Sequence, residues 1–237
     1  IRTFALKSQL SIGQDCISLE NIDSSIEVGT KLTAQISPTS PINVQALRNY
    51  LVPFVRFLTV PVLLNGELLS QQDVRSAAGI GANWKVLDTK PLNAGRFAFE
   101  ACVLADGNQV AVIIDKLVID GKPSPGGAWL RNGAGQVMGL RSRFGLAPIP
   151  LPSHYQLGGF ADLPFLLPTA GREALTRESI QEATQLISPI EFALTEALKD
   201  TNLADTLQAF QQYLLQIGRI EWAGRVSIQL SPGDQRM

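Results

Sequence analysis

Two apolar segments joined by a short polar turn restrict the fold of this chain more than any other feature. Residues 97–104 alternate between two sets of side chains, of which one, Phe97, Phe99, Ala101 and Val103, is wholly apolar, and a second apolar run follows at 110–119. A period of two residues is that of a strand with one buried face. The Asp106-Gly107-Asn108 sequence between the runs favours a tight turn. The sequence therefore predicts an antiparallel hairpin near the middle of the chain.

A helix and a shorter hairpin are predicted before these strands. The Asn65-Gly66 pair between residues 60–64 and 67–69 predicts a tight hairpin turn. Pro53 predicts a kink or an early end of the helix, because its ring clashes with the preceding turn. The helix itself is indicated by apolar residues at spacings of three and four, namely Val44, Leu47, Leu51, Phe54, Val55 and Leu58.

Two further helices are predicted in the last third of the chain. The first would contain a kink at Pro189. The second begins near Asn202 and ends at Gly218, which stands in the position of a left-handed cap. Residues 225–230 alternate as a short final strand. The apolar stripe of the first helix has helical spacing and consists of Ile180, Ala183, Ile187, Ile190, Leu194 and Leu198.

The chain is predicted to contain three parts, at 1–40, 41–177 and 178–237. Short β-type runs at 16–19 and 31–36 precede the turn-rich sequence Ser37-Pro38-Thr39-Ser40-Pro41, which is the strongest boundary signal. The third part is predicted to be a helical extension with a short terminal strand. Strands beside helices, without an internal repeat, indicate an α+β fold in which helices pack on a mixed or antiparallel sheet.

Composition and charge exclude several classes of function. The chain is 45% apolar and 17% charged, as an ordinary globular protein is, and its net charge is -1. Its Lys and Arg residues are spread along the sequence, so no basic stripe is available for nucleic acid. Cys16, Cys102 and the single histidine, His154, do not have the spacing of a metal site or a catalytic triad. We expect neither a membrane span, which needs roughly 20 apolar residues, nor a signal peptide.

Residues 121–135 are rich in Gly and Pro and allow two interpretations. A loop that cradles phosphate is one, but no Lys-Ser or Lys-Thr pair follows and no strand-to-helix pattern frames the segment. A mobile surface loop is the favoured interpretation. Trp129 within it is then either a packing residue or an exposed contact for another protein.

Residues 157–175 form the most distinctive segment of the chain. An apolar run ends in a Pro-rich loop, and Arg172 and Glu173 follow at the entrance of the first C-terminal helix. An arginine held there by the loop can present its planar set of donors to a phosphate. The alternative is a surface arginine of the first helical turn, paired with Glu173 or Glu178.

This segment resembles the middle domain of the ninety-kilodalton heat-shock chaperones. In that family a Gly is followed by Asp-Leu-Pro, a small loop, and Arg-Glu with a Leu that opens a helix. The matching residues, in the same order, are Gly158, Asp162-Leu163-Pro164, Arg172-Glu173 and Leu175. Residues 50–67 resemble the first helix and strand of the same domain, and residues 180–217 resemble its helix pair more loosely. The loop before Arg172 is longer by Leu167-Pro168-Thr169-Ala170, which indicates a divergent, bacterial-type relative.

The resemblance implies a site for ATP. The family's arginine at this position reaches the γ-phosphate of Mg-bound ATP held by a separate N-terminal domain, which implies the same catalytic role for Arg172. Thr176 stands where many members carry a Gln near the phosphate. Gly29 and Thr30 resemble the Gly-Thr strand near the adenine in the wider superfamily of gyrases, chaperones, histidine kinases and mismatch-repair ATPases.

The resemblance also implies a protein: a cytoplasmic, ATP-dependent chaperone whose middle domain has the ribosomal-protein-type transducer fold of this superfamily. Its partners would be its own N-terminal ATP-binding domain and client proteins, and the full-length protein would be a homodimer. We expect ATP hydrolysis only when this chain is joined to that domain. Two alternatives stay open. One is the transducer of a gyrase-like or mismatch-repair ATPase acting on DNA, with Lys90 as its candidate lysine, and the other is an interaction module without a nucleotide role.

Overall fold

The chain consists of two units, residues 1–43 and 44–237. The computed structural model describes residues 8–12, 17–21, 42–171 and 173–223. In the first unit, β1 (Ser8–Ile12) and β2 (Ile17–Asn21) form an antiparallel hairpin. The runs predicted at 31–36 and 225–230 lie outside the described residues, as do Gly29 and Thr30.

Along the sequence of the second unit, the strands follow a first helix and precede a C-terminal group of helices. Along the described chain the elements are α1 (Val44–Val55), β3 (Leu63–Leu64), β4 (Glu67–Leu68), α2 (Val74–Ala77), β5 (Lys85–Ala94), β6 (Phe97–Asp106), β7 (Gln109–Ile119), β8 (Lys122–Pro123), β9 (Gly127–Arg131), β10 (Val137–Arg141), β11 (Phe144–Ile149), β12 (Gly158–Asp162), α3 (Arg177–Leu198), α4 (Leu203–Thr206), α5 (Gln208–Ile217) and a 3₁₀ turn (Ile220–Ala223).

Eight of the described strands form one mixed sheet. Its order is β11-β10-β12-β9-β7-β6-β5, and β8 pairs with β7. Among these strands β10 and β12 are parallel, whereas the other pairs are antiparallel. The edge strands β5 and β11 each contain a proline, Pro91 and Pro148. The predicted α+β class, with helices on a mixed sheet, is confirmed.

Local sequence signals account for the turns and helix ends. The β3–β4 hairpin turns at Asn65 and Gly66, with φ angles of 51° and 85°, and the β6–β7 turn contains Gly107 at φ 56°. These positive φ angles are the reason for Asn and Gly at such positions. Helix α5 ends at Gly218 in the left-handed conformation, as predicted. Helix α1 ends two residues after Pro53, whereas α3 continues as one helix through Pro189.

The sheet buries both of its faces. One face packs against α3 and α5, with buried side chains such as Ile114 of β7 and Leu186 of α3. The segment from the end of α1 to residue 84 covers part of the other face through Phe57 and Ile80. Burial on both sides explains why β7 is a nearly continuous apolar run. No helix among the described residues has the length and apolarity needed to cross a membrane.

The prediction of a surface loop at residues 121–135 is wrong for residues 127–131. These residues form β9, which lies inside the sheet between β7 and β12. The glycines permit a close approach of backbones there: a Cβ would lie 2.5 Å from the Ile114 carbonyl oxygen at Gly127 and 2.2 Å from the Asp162 carbonyl oxygen at Gly126. Trp129 is therefore a strand residue.

Substitution of Gly127 by Ala tests this close approach. The added Cβ would force β7 and β9 apart, and we expect the free energy of unfolding to fall by about 1–3 kcal/mol. Gly171→Ala is the matched control, because its added Cβ would meet only the Glu173 side chain, at 3.9 Å. Chemical denaturation measures the difference, and equal stability of the two variants would contradict the packing argument.

Candidate arginine loop and its support

The arginine loop, residues 165–176, connects β12 to α3. Its two arms are joined by backbone hydrogen bonds and by an isolated antiparallel bridge, so the loop is a hairpin-like structure rather than an open insertion. The pairs are the Thr176 amide with the Leu167 carbonyl (2.9 Å), the Thr169 amide with the Ala174 carbonyl (2.8 Å), and Pro168 with Leu175.

The sequence-predicted catalytic residue, Arg172, follows Gly171 in the sequence of this loop. Arg172 itself lies outside the described residues, whereas its neighbours Gly171 and Glu173 are described and exposed. Residues 167–170, which the resemblance described above implies to be added length, form most of the first arm. The extra length is therefore used for pairing with the second arm.

Ser179, in the first turn of α3, holds the base of the arginine loop. Its buried hydroxyl accepts hydrogen bonds from the Leu167 amide at 2.9 Å and the Thr176 hydroxyl at 3.0 Å, and it donates to the Phe165 carbonyl at 3.3 Å. Thr176 is the N-cap of α3, and its side chain accepts from the Ser179 amide at 3.3 Å. The structure thus places Thr176, a sequence-predicted nucleotide contact, in a helix cap.

Asp162, from the Asp-Leu-Pro sequence, fixes a neighbouring turn. Its buried carboxylate accepts from the Arg143 amide at 3.2 Å and forms an ion pair with the Arg143 Nε at 3.2 Å. Ser142 and Arg143 have φ angles of 51° and 67° in the turn between β10 and β11. Charge-assisted hydrogen bonds of this kind can hold a non-glycine turn in the left-handed region. Asp162 therefore stabilises the structure beside the arginine loop.

A cleft of about 430 Å³ lies against the second arm of the arginine loop. Residues 173–175 form one wall, and the strands β10 and β11 and the loop that follows β11 form the others. The walls are mainly apolar, with Gln136 and Glu173 as their polar side chains. The apolar lining side chains are Val137, Pro148, Ile149, Pro150, Leu151, Leu157, Ala174, Leu175 and Ile180.

Glu191 of α3 anchors the loop that forms the far side of this cleft. Its nearly buried carboxylate accepts from the Ser153 hydroxyl at 2.5 Å and the Tyr155 amide at 3.3 Å, and it lies 3.1 Å from Nδ1 of His154. Tyr155 and Thr195 share a hydrogen bond of 2.6 Å, and burial raises the pKa of the Tyr155 hydroxyl. Ser153 and His154 both contact the carboxylate rather than each other, so this cluster lacks the Ser-His contact of a catalytic triad.

Sequence reasoning did not find Ser179 or Glu191. Each side chain holds a segment at least 12 residues away in sequence. The available signal for Glu191 was a carboxylate within the otherwise apolar stripe of α3. A charged group on the buried side of a helix indicates a partner on another segment.

Lys90 of β5, the candidate lysine of the DNA-acting alternative, pairs with α3. Its Nζ hydrogen-bonds to Glu196 and lies 3.7 Å from an oxygen of Asp88. The hydrogen bond from Lys90 is the main cause of a lowered pKa of Glu196. The ammonium group is thus engaged in fastening α3 to the edge of the sheet.

No protein-family model and no curated protein sequence matches the chain. Within residues 42–171 and 173–223 and the two described strands before them, no group of three or more His, Cys, Asp or Glu side chains is placed to hold a metal ion.

Ser179→Ala is expected to loosen the base of the arginine loop. The variant leaves the Leu167 amide without its acceptor, and a buried donor left unpaired costs about 1–3 kcal/mol. Amide hydrogen exchange at Leu167 should become faster, while exchange within β6 and β7 remains slow. Ser188→Ala, at an exposed position of the same helix, is the control, and similar exchange in both variants would contradict the role of Ser179.

Lys90→Met is expected to lower stability in a pH-dependent manner. In the folded protein the pKa of Glu196 lies below its ordinary value of 4.5. The pair therefore contributes its full stability above pH 4.5 and loses that contribution as the pH falls through the lowered pKa. Both side chains are partly exposed, so we expect a loss of about 0.5 kcal/mol at neutral pH. Chemical denaturation at pH 7 and at lower pH measures the difference in the free energy of unfolding between the variant and wild type. Lys85→Met, at an exposed position of the same strand, is the control. A difference that persists unchanged in acid would contradict the pairing.

Proposed function

We propose that this chain is the middle segment of an ATP-dependent chaperone similar to the ninety-kilodalton heat-shock proteins. In this proposal Arg172 contacts the γ-phosphate of Mg-bound ATP that the N-terminal domain of the same polypeptide holds. The observation that carries the proposal is the construction of the arginine loop, whose arms pair with each other and whose base is fixed on α3.

The construction of the loop suits an arginine that acts on another domain. Gly171 and Glu173, the described neighbours of Arg172, are exposed rather than packed in the core of their own domain. The paired arms reduce the number of conformations available to the loop, which lowers the entropy that has to be lost when the guanidinium binds a phosphate. A loop of this kind supplies a positioned cation without holding the nucleotide itself.

The described residues do not resemble a complete nucleotide site. The Gly-rich segment at 121–135 contains the strands β8 and β9 and leads into strand β10, whereas a phosphate-binding loop leads into a helix. Bound ATP would supply the phosphoryl group, and we propose that most of its contacts, and those of Mg, come from the N-terminal domain, together with Gly29 and Thr30. The contribution of this segment is then the charge of Arg172, and the isolated chain is inactive.

Helix α3 supports the second part of the proposal, a transducer. Its first turn holds the arginine loop through Ser179, and its middle turns hold the loop at 150–157 through Glu191. A displacement of the arginine loop on docking would therefore act on a long helix packed over the sheet, and closure would couple hydrolysis to a change of shape. We propose the ribosomal-protein-type transducer fold, client binding, a homodimer and a cytoplasmic location on the basis of the resemblance.

The experiment joins this chain to its own N-terminal domain and compares ATP turnover of wild type and Arg172→Ala. A phosphate-contacting arginine contributes about 10³- to 10⁵-fold to the rate of phosphoryl transfer, and we expect a loss in that range with little change in ATP affinity. Arg177→Ala, an exposed arginine in the first turn of α3, is the matched control. Equal turnover of wild type and Arg172→Ala would refute the assignment.

A further inference from the structure

The guanidinium group of Arg56, the residue that follows α1, packs against two aromatic rings. Its guanidinium carbon lies 4.5 Å from the ring centroid of Phe57 and 4.6 Å from that of Phe160. The two rings are in edge-to-face contact with centroids 4.8 Å apart. The ring faces attract the cation but offer no hydrogen-bond acceptors for its N–H groups.

Arg56 has no carboxylate partner among the described residues, although Arg48, Arg96, Arg143 and Arg219 each have at least one. Its Nε is buried without a hydrogen-bond partner, and burial lowers the pKa of the guanidinium. Its terminal nitrogens Nη1 and Nη2 make no hydrogen bond to another described residue, and the side chain as a whole is half-buried. The cation has thus lost part of its hydration while its outer edge stays accessible.

A second arginine on the same face of the sheet has similar surroundings. Arg131 of β9 donates from Nη1 to the Gln109 side chain at 3.1 Å, and its Nε is buried without a partner. It stands two residues from Trp129, which pairs in register with Phe160 across β9 and β12. We call the set Arg56, Phe57, Trp129, Arg131 and Phe160 the arginine–aromatic surface.

We propose that the arginine–aromatic surface binds an acidic polypeptide segment of a partner protein, with a carboxylate of that segment on the outer edge of Arg56. The proposal follows from charge complementarity, because Arg56 and Arg131 each have a buried Nε and neither has a carboxylate partner among the described residues. It is independent of the ATP site. The role of Arg172 enters neither the argument nor the test.

A single-stranded nucleic acid fits this surface less well. Bases bind to such surfaces by stacking on exposed aromatic faces, but Phe57 and Phe160 are only 3% and 8% exposed. The neighbouring Arg143, which lies over Trp129 at 4.9 Å, is already neutralised by Asp162. A carboxylate on a flexible side chain needs only the accessible edge of the guanidinium.

The stability of the free protein separates a binding role of Arg56 from a packing role. Methionine keeps a long apolar stem against the two rings and removes the partly desolvated charge. For Arg56→Met we therefore expect a melting temperature equal to or above that of wild type. A clear drop would assign Arg56 to packing and overturn the proposal.

Binding is tested on the full chain by NMR of the arginine Nε–Hε groups, which are protected from solvent at Arg56 and Arg131. The probe is a synthetic peptide of alternating Glu and Ser, and its control has Gln in place of Glu. We expect the Glu peptide alone to shift both signals, and Arg56→Met to weaken its binding at least tenfold. Arg219→Met, which removes an arginine that also lies over a ring but pairs with Glu221, should bind as wild type does.

Three results would overturn the proposal. The first is the absence of any shift with the Glu peptide. The second is a response to inorganic phosphate or to oligothymidylate as strong as the response to the peptide, since it would indicate a general anion site or a nucleic-acid site. The third is unchanged peptide binding by Arg56→Met.

Discussion

The close approach of backbones around β12 is the constraint on which the second unit depends. An added Cβ would lie 2.2 Å from the Trp129 carbonyl oxygen at Gly159 and 2.6 Å from the Gln136 amide nitrogen at Gly158. Because these residues carry no side chain, β12 can pair with β9 on one side and run parallel to β10 on the other. This pairing fixes where β12 ends, and therefore where Asp162 and the arginine loop begin.

Helix α3 makes hydrogen bonds to three separate segments of the second unit. Ser179, Glu191 and Glu196 lie successively along the helix and bind the arginine loop, the loop at 150–157 and the edge strand β5. Each contact is polar and directional, whereas the apolar stripe between them supplies most of the burial. A helix held by burial alone can slide or rotate at modest cost, but three directional contacts on three segments define one position.

The sequence predicts those parts of the fold that depend on neighbours along the chain. The Asn65-Gly66 turn and the cap at Gly218 follow from the conformations these residues tolerate, and the β6–β7 hairpin follows from its alternation. The sequence predicts a loop at β9 because glycine is common in loops and depleted in strands, and only the contacting backbone of β7 explains the presence of Gly127 here. Strand β5 was missed because polar side chains and Pro91 interrupt its pattern.

The candidate functional residues also differ in whether neighbouring sequence or distant partners determine their roles. Arg172 could be singled out from sequence only through a family resemblance, since an Arg-Glu pair at a helix start is common on protein surfaces. Ser179 and Arg56 owe their roles to partners brought together by the fold: Ser179 to the arms of a loop, and Arg56 to Phe160, more than 100 positions further along the chain. Local sequence patterns do not predict contacts between residues so far apart in the chain.

The prolines of the two edge strands have a consequence for assembly. Pro91 in β5 and Pro148 in β11 lack the amide hydrogen that an added strand would need, and prolines at sheet edges oppose the growth of a sheet from one molecule into the next. A sheet blocked at both borders resists the ordered aggregation that threatens β-rich proteins when they are concentrated or heated. Association through this sheet is then favoured at side chains on its faces and loops, which are more selective than a row of backbone amides.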